Sequence, residues 1–375
     1  MTMTQVARPW LAFLVSGSAT SLGLVAAAQG FMMLVASPLG GVAADRLPKR
    51  IVLLVSQASL LLTAIVMFLI VFFDVAKIWH LVLLSVVHGG TVPFNQPVRQ
   101  SYIPLLLPRS AVPNGVALQT SARTINQILA PAAIGILLAV EPWVAFLLIA
   151  VMHFVSMIAS LRLPLGRPLA EVGKGMGGEL LFGLRYIAGH QVLRVLILMG
   201  MVAVALGVPY QQLLPVFQKE VLGVGEIQLG FMYTMVGLGG LVATLGVASF
   251  PGVALRGFPQ LVAGVAFGLA LMLFALTTWY PLALATLFMV GFSAQSYMTM
   301  NQTLIMMNTD PGMYGRVASV NIMVRSLFPM IVLPMGMLVD AFGPGVTVAS
   351  SGGILALSIL VIGAFRREMW RSRAF

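Results

Sequence analysis

Two arginines stand inside long apolar runs. Arg123 lies in TSARTINQILAPAAIGILL and Arg325 in NIMVRSLFPMIVLPMGML. Each sits eight residues or more beyond the nearest basic loop, which at helical rise is about 12 Å of depth. A guanidinium there attracts the acidic or carbonyl oxygens of a ligand, or else snorkels and locks its helix. Other polar residues recur at helical spacing: His88, Thr91 and Asn95; Gln119, Arg123 and Asn126; Gln295, Thr299 and Gln302, with Tyr297 and Asn301 beside them; Asn321 and Arg325. Offsets of three, four and seven place each set on one helix face. One polar face per apolar helix predicts a water-filled cavity whose wall is His88, Asn95, Gln119, Arg123, Asn126, Gln295, Tyr297, Asn301, Asn321 and Arg325. His88 is suited to titrate near neutral pH, although a histidine satisfied by a neighbouring helix is the better explanation.

Other chemistries lack their residues. There are no cysteines, and the four histidines (His80, His88, His153, His190) are not at ligand spacing, so no metal site is expected. No Gly-x-x-x-x-Gly-Lys-Ser/Thr stretch, His-Glu-x-x-His pair or nucleophile elbow occurs. The reading is of a chain that is not an enzyme and takes no cofactor. The ten carboxylates fall in loops or at helix ends, none at mid-membrane where a proton carrier is normally placed. The net charge of +11 does not point to nucleic acid, because membrane proteins collect Lys and Arg on their inner loops.

These side chains need a scaffold, and composition dictates it. With 59% apolar and 8% charged residues, the chain cannot cover itself with a water-facing surface. About 20 apolar residues cross the hydrocarbon layer, and eleven runs of that kind occur: Ala19–Ala36, Ile51–Phe73, Ile78–Phe94, Val116–Val140, Trp143–Leu163, Val192–Phe217, Gly225–Phe250, Phe258–Thr277, Pro281–Met307, Val317–Val339 and Val346–Phe365. Pro9–Val15 is an apolar stub too short to span. With the loop after Ala36 placed inside, sixteen of the 21 Lys and Arg fall on the inner side, and only Lys77 and Lys219 fall outside. That asymmetry predicts a multi-pass protein of the plasma (inner) membrane with a cytoplasmic C-terminus.

The loop 164–190 is long and mixed in charge, with a short surface helix expected around Glu179–Ile187. It divides the chain into an N-terminal bundle (1–163) and a C-terminal bundle (191–375). FNQPVRQ with the following TSARTINQILAP matches MNQTLIM with NIMVRSLFPMIVLP: an Asn-Gln pair closes one helix, then an Arg opens the next with a Pro eight or nine residues on. Internal duplication of this kind marks many transporter folds. Two small-residue ladders, Gly237-Gly239-Gly240-Ala243-Gly246 and Ala130-Ala132-Ala133-Gly135, predict close helix contacts.

The stretch GVAADRLPKR joins two spans on the inner face. Gly41 permits close approach, and Asp45 stands beside Arg46, Lys49 and Arg50, where a carboxylate can pair in one conformation and release in another. The pattern Gly-x-x-x-Asp-Arg-x-x-basic-basic resembles the signature loop of the major facilitator superfamily, with Pro48 in place of the usual Gly. FNQPVRQSYIPLLLPRSAVPNGVAL and LLPVFQKEVLGVGEIQLGFMYTMVGLGGL resemble the branch of enterobactin exporters and macrolide efflux pumps.

The resemblance implies an all-α fold of two six-helix bundles around a central cavity and alternating-access transport of a small solute. It implies efflux driven by protons, in a monomer, as an antiporter. The eleven runs then correspond to helices two to twelve, and the stub to the end of the first, so a start upstream of Met1 is expected. Two other readings stay open: an uncoupled facilitator of the same fold, and a transport-inactive membrane protein acting as partner or sensor.

Overall fold

The structure is a computed structural model describing residues 2–166, 176–250, 257–310, 313–314, 316–317, 320–321 and 328–365. The described residues are nearly all helical. Twelve long helices follow in order: α1 (Thr2–Ser16), α2 (Ala19–Arg46), α3 (Lys49–Phe72), α4 (Ile78–Ser101), α5 (Val112–Val140), α6 (Pro142–Leu161), α7 (Gln191–Val221), α8 (Glu226–Ser249), α9 (Gly257–Ala275), α10 (Tyr280–Met307), α11 (Phe328–Phe342) and α12 (Pro344–Phe365).

Among the described residues, nine of these helices are long and apolar enough to cross a membrane. The eleven runs expected from sequence therefore need qualification. α4 is long enough, but His80, His88 and Asn95 lower its apolarity. α11 is described only from Phe328, and α1, at 15 residues, covers about 22 Å.

Helix boundaries follow local chemistry. Gly17 ends α1 in the left-handed region (φ +64°), its N–H donating to Phe13 O at 2.8 Å. Ser18 then caps α2, accepting from Ser21 N–H. Only these two residues separate the helices. Proline opens α6 and α12 and sits in the first turn of α10, where its missing N–H costs nothing. α7 is interrupted: π-helical turns at Ala203–Gly207 and Phe217–Val221 flank a break at Val208-Pro209.

The first six helices pack among themselves, with α2 on α4 and α3 on both α4 and α6. The last six do the same, with α8 on α10 and α9 on α10 and α12. Between the two bundles run α2 against α11, α5 against α8, and α1 against α7. The short helix expected near Glu179–Ile187 is present as Met176–Gly189. It is tied to the end of α10 by the Tyr186 hydroxyl, which donates to Asp310 Oδ2 at 2.8 Å, and Arg316 lies over the Phe182 ring at 4.8 Å.

Candidate functional site

The bundles meet tightly at one end and part at the other. At the end carrying the α1–α2 turn, α2 and α11 touch backbone to backbone. A side chain added at Gly336 would run into the Ala19 carbonyl, and one at Gly23 would sit 2.7 Å from the Leu333 Cα. α5 and α8 approach as closely: a Cβ on Gly135 would lie 2.7 Å from the Glu226 carbonyl oxygen, and one on Gly230 would lie 2.6 Å from that of Pro131. The Thr234 hydroxyl reaches across to Ile128 O at 3.1 Å. Small residues thus do here what they do in membrane helix pairs generally, which is to let backbones approach.

The two ladders expected from sequence divide their work. Gly135 meets Gly230, and Gly237 meets Gln127 across the bundle boundary. Gly239 faces Phe288 of α10, and nothing lies within 4 Å of a Cβ on Gly246.

One carboxylate seals this end. Asp340, in the last turn of α11, accepts from Ser18 Oγ at 2.6 Å, Ala19 N at 2.8 Å and Thr20 N at 2.9 Å. It occupies the positive N-terminus of α2, where three donors converge on an anion. Burial tends to raise its pKa, but the bonds from Ser18, Thr20 and Ala19 outweigh that and hold the carboxyl below the usual carboxylate range.

At the opposite end, where the basic loops lie, α5 is bare. Every residue from Val116 to Arg123 is exposed, so among the described residues no helix covers it on any side there. Gln119, Arg123 and Asn126 form one stripe on it, all exposed, and Asn126 Nδ2 donates to Thr2 Oγ1 of α1 at 3.1 Å. On α10, Gln295 is exposed and donates to Thr299 Oγ1 at 3.2 Å, and Gln302 is exposed as well. Asn321 is half-buried; Arg325 lies outside the described residues.

The other expected wall residues sit inside the bundles. Asn95 is fully buried and donates to Ser56 Oγ at 3.0 Å. Asn301 is buried and accepts from Gln260 Nε2 at 2.7 Å. Tyr297 is fully buried against Gly264 of α9, its hydroxyl without a partner among the described residues. His88 is buried in the N-terminal bundle, in a small void shared with Thr4, Arg8 and His153. Helical spacing marks a polar face but cannot say whether that face meets a cavity or a neighbouring helix.

Of the basic-loop residues, Gly41, Asp45 and Arg46 are helical in backbone, and their side chains lie outside the described set. Lys49 is buried, and its N–H donates to Gly166 O at 3.3 Å, while Arg50 N–H donates to Leu165 O. Tyr102, at the end of α4, donates to Pro164 O at 2.9 Å. The start of α3, the end of α4 and the strap 164–166 are therefore knit together at this end.

Two residues that shape the site do not stand out in the sequence. Arg8 is assigned to neither side of the membrane by the sequence, and Asp340 reads as one more helix-end acid. The signal for Arg8 is a cation three residues upstream of an unbroken apolar stretch, Leu11–Val15.

Comparison with known proteins gives a consistent picture. A family model described as Major Facilitator Superfamily matches residues 1–333. The chain is 26% identical to the staphyloferrin A transporter of Staphylococcus aureus (strain NCTC 8325 / PS 47), over 90% of this chain and 86% of that one. It is 27% identical to the multidrug efflux pump Tap of Mycolicibacterium fortuitum, over 96% of this chain and 90% of that one. Among solved structures, a point mutant of the nucleoside transporter NupG superposes with a TM-score of 0.75 at 13% identity, covering 96% of this chain and 95% of that chain. A bacterial homologue of the human lysosomal transporter Spinster, in an inward-facing and unoccupied conformation, gives 0.74 at 15%, covering 99% and 95%.

Proposed function

This chain belongs to the Major Facilitator Superfamily and is a membrane transporter, and we propose that it exports a small solute across the plasma membrane by alternating access. The observation that carries this reading is the asymmetry of the bundle interface. Glycine contacts and the Asp340 cap close one end, while α5 stands uncovered from Val116 to Arg123 at the other. With the basic loops and C-terminus in the cytoplasm, this is the inward-open state. The N-terminal bundle (1–163) and C-terminal bundle (191–375), joined by the linker 164–190, rock about a site near the midplane.

In this reading the solute is met by Gln119, Arg123 and Asn126 on α5 and by Gln295 on α10. A guanidinium among neutral amides favours a solute with acidic or carbonyl oxygens. Likeness to a siderophore transporter and a multidrug pump supports efflux and the enterobactin-exporter and macrolide-efflux branch. The Gly41–Arg50 segment, the end of α2 and start of α3 around the Leu47–Pro48 turn, is the inner latch with Asp45, and the protein works as a monomer.

Coupling to protons rests on the family. One observation favours the uncoupled facilitator instead: the described carboxylates lie at helix ends, as Asp74, Glu141, Glu226, Asp310 and Asp340 do. Flux of staphyloferrin A and of a macrolide in proteoliposomes tests both. Export-direction transport that stops when the pH gradient is collapsed supports coupled efflux. Equilibration without accumulation replaces it with the facilitator, and no flux of any probe supports the partner or sensor reading.

A further inference from the structure

Arg8 lies in α1 with 6% of its surface exposed. Its Nη1 donates to Gln29 Oε1 at 3.1 Å and to Ser85 Oγ at 3.3 Å, and both acceptors are neutral. Its Nε–H is buried without a partner, and so is the hydroxyl of Thr4, one turn earlier on the same helix. Among the described residues no carboxylate reaches this guanidinium. A cation taken out of water without a counter-charge costs several kcal/mol, so a bare Arg8 in this place needs an explanation.

The void beside it supplies one. It has about 20 Å³ of room, walled by Thr4, Arg8, His88, His153 and Thr63, whose hydroxyl donates to Leu60 O at 2.8 Å, on its polar side and by apolar residues such as Leu60 and Phe146 on the other. About 10–15 Å³ measured in this way holds one water-sized guest. The space therefore suits a small guest such as a water molecule or a monatomic ion.

The polar groups on it are matched to an acceptor. Arg8 offers a free N–H and Thr4 a free O–H, and His88, which lines the space, can turn a ring N–H to it in the matching tautomer. His153 is already engaged with Gln57 Oε1 at 3.4 Å. Water satisfies those donors but leaves the charge uncompensated. A monovalent anion does both.

We propose that the N-terminal bundle holds a buried site for one halide-sized anion, bound by Arg8, Thr4 and His88 behind the cavity wall. The site is separate from the stripe on α5 and does not depend on what the carrier transports.

The test uses the full chain in lipid nanodiscs, with sodium chloride exchanged for sodium gluconate at constant ionic strength. A ligand that binds only the folded state raises the unfolding temperature in a saturable way. Chloride and bromide are expected to do so and gluconate is not. Thr4→Val, which removes one hydrogen bond to an ion, should raise the half-saturating chloride concentration about tenfold, equivalent to about 1.4 kcal/mol. Arg8→Gln should abolish the response. Should that variant not fold, the Thr4→Val midpoint and an anomalous bromide peak beside Arg8 in crystals decide the matter. Equal unfolding temperatures in chloride and gluconate would overturn the proposal and leave a water-filled void. A halide response unchanged in Thr4→Val, or a bromide peak elsewhere, would overturn it too.

Discussion

The carboxylate of Asp340 accepts a hydrogen bond from the Ser18 hydroxyl at 2.6 Å, across 322 residues of chain and from one helical bundle to the other. With the Ala19 and Thr20 amides it forms a charged cap on α2 that exists only when this end of the molecule is shut. Asp340→Asn keeps the shape and removes the charge. We expect it to shift the population toward the state open at this end by about tenfold, since charge-assisted bonds contribute about 1.5–3 kcal/mol and the site is solvent-exposed, which reduces that figure. The chain has no native cysteine, so a single cysteine at Leu333 reports opening through its rate of thiol labelling. Unchanged labelling would remove the cap from the gating mechanism.

The same carboxyl sets a pH dependence of known sign. Its pKa in the capped state is depressed, because the three donated bonds outweigh burial. The contribution of the cap is therefore present above the ordinary aspartate value of about 3.9 and is lost as pH falls through the lowered one. The separation of the two bundles at this end, read from a pair of spin labels attached beforehand on α2 and α11, should stay short from neutral pH down to about 4 and lengthen below that, and Asp340→Asn should abolish the change.

Gly336 has no room for a side chain against the Ala19 carbonyl. Gly336→Val should hold the α2–α11 seam apart, as overpacking of a tight contact typically costs about 1–3 kcal/mol. Transport should fall about tenfold or more while the protein still folds. The check is flux alongside the unfolding temperature: normal flux would mean that the seam need not close.

Arg123 is exposed midway along α5, between Gln119 and Asn126. Arg123→Gln should raise the KM for an acidic solute about tenfold or more, the worth of one charge-assisted contact. Arg123→Lys should restore part of it. A neutral solute should be indifferent to both changes, and equal loss for acidic and neutral solutes would assign Arg123 to structure instead.

Tyr186 donates to Asp310 and so fastens the helix Met176–Gly189 to the end of α10. Tyr186→Phe should expose the linker to protease several-fold faster without changing the unfolding temperature of the bundles. An unaltered cleavage rate would show that Arg316 over Phe182 suffices to hold it.

The architecture was legible because lipid leaves few choices: apolar runs of fixed length go far toward placing the helices. The candidate site was legible only in part. Gln119, Arg123, Asn126 and Gln295 sit on the open surface, but Asn95, Asn301 and Tyr297 fill positions inside their bundles, and a sequence carries no separate sign for those two environments. Asn301 and Gln260 are 41 residues apart and find each other only through packing. Arg8 and Asp340 escape notice for the same reason: what defines each is a partner on a different helix.

The junction of α1 and α2 consists of Gly17 and Ser18 alone, with Gly17 fixed in the left-handed conformation. So short a joint keeps the adjoining ends of the two helices side by side. One helix carries Arg8 and its void. The head of the other is gripped by Asp340. A guest held beside Arg8 would be coupled to the seal that Asp340 makes, and reciprocity would then require that prising that seal apart alter the hold on the guest by the same factor.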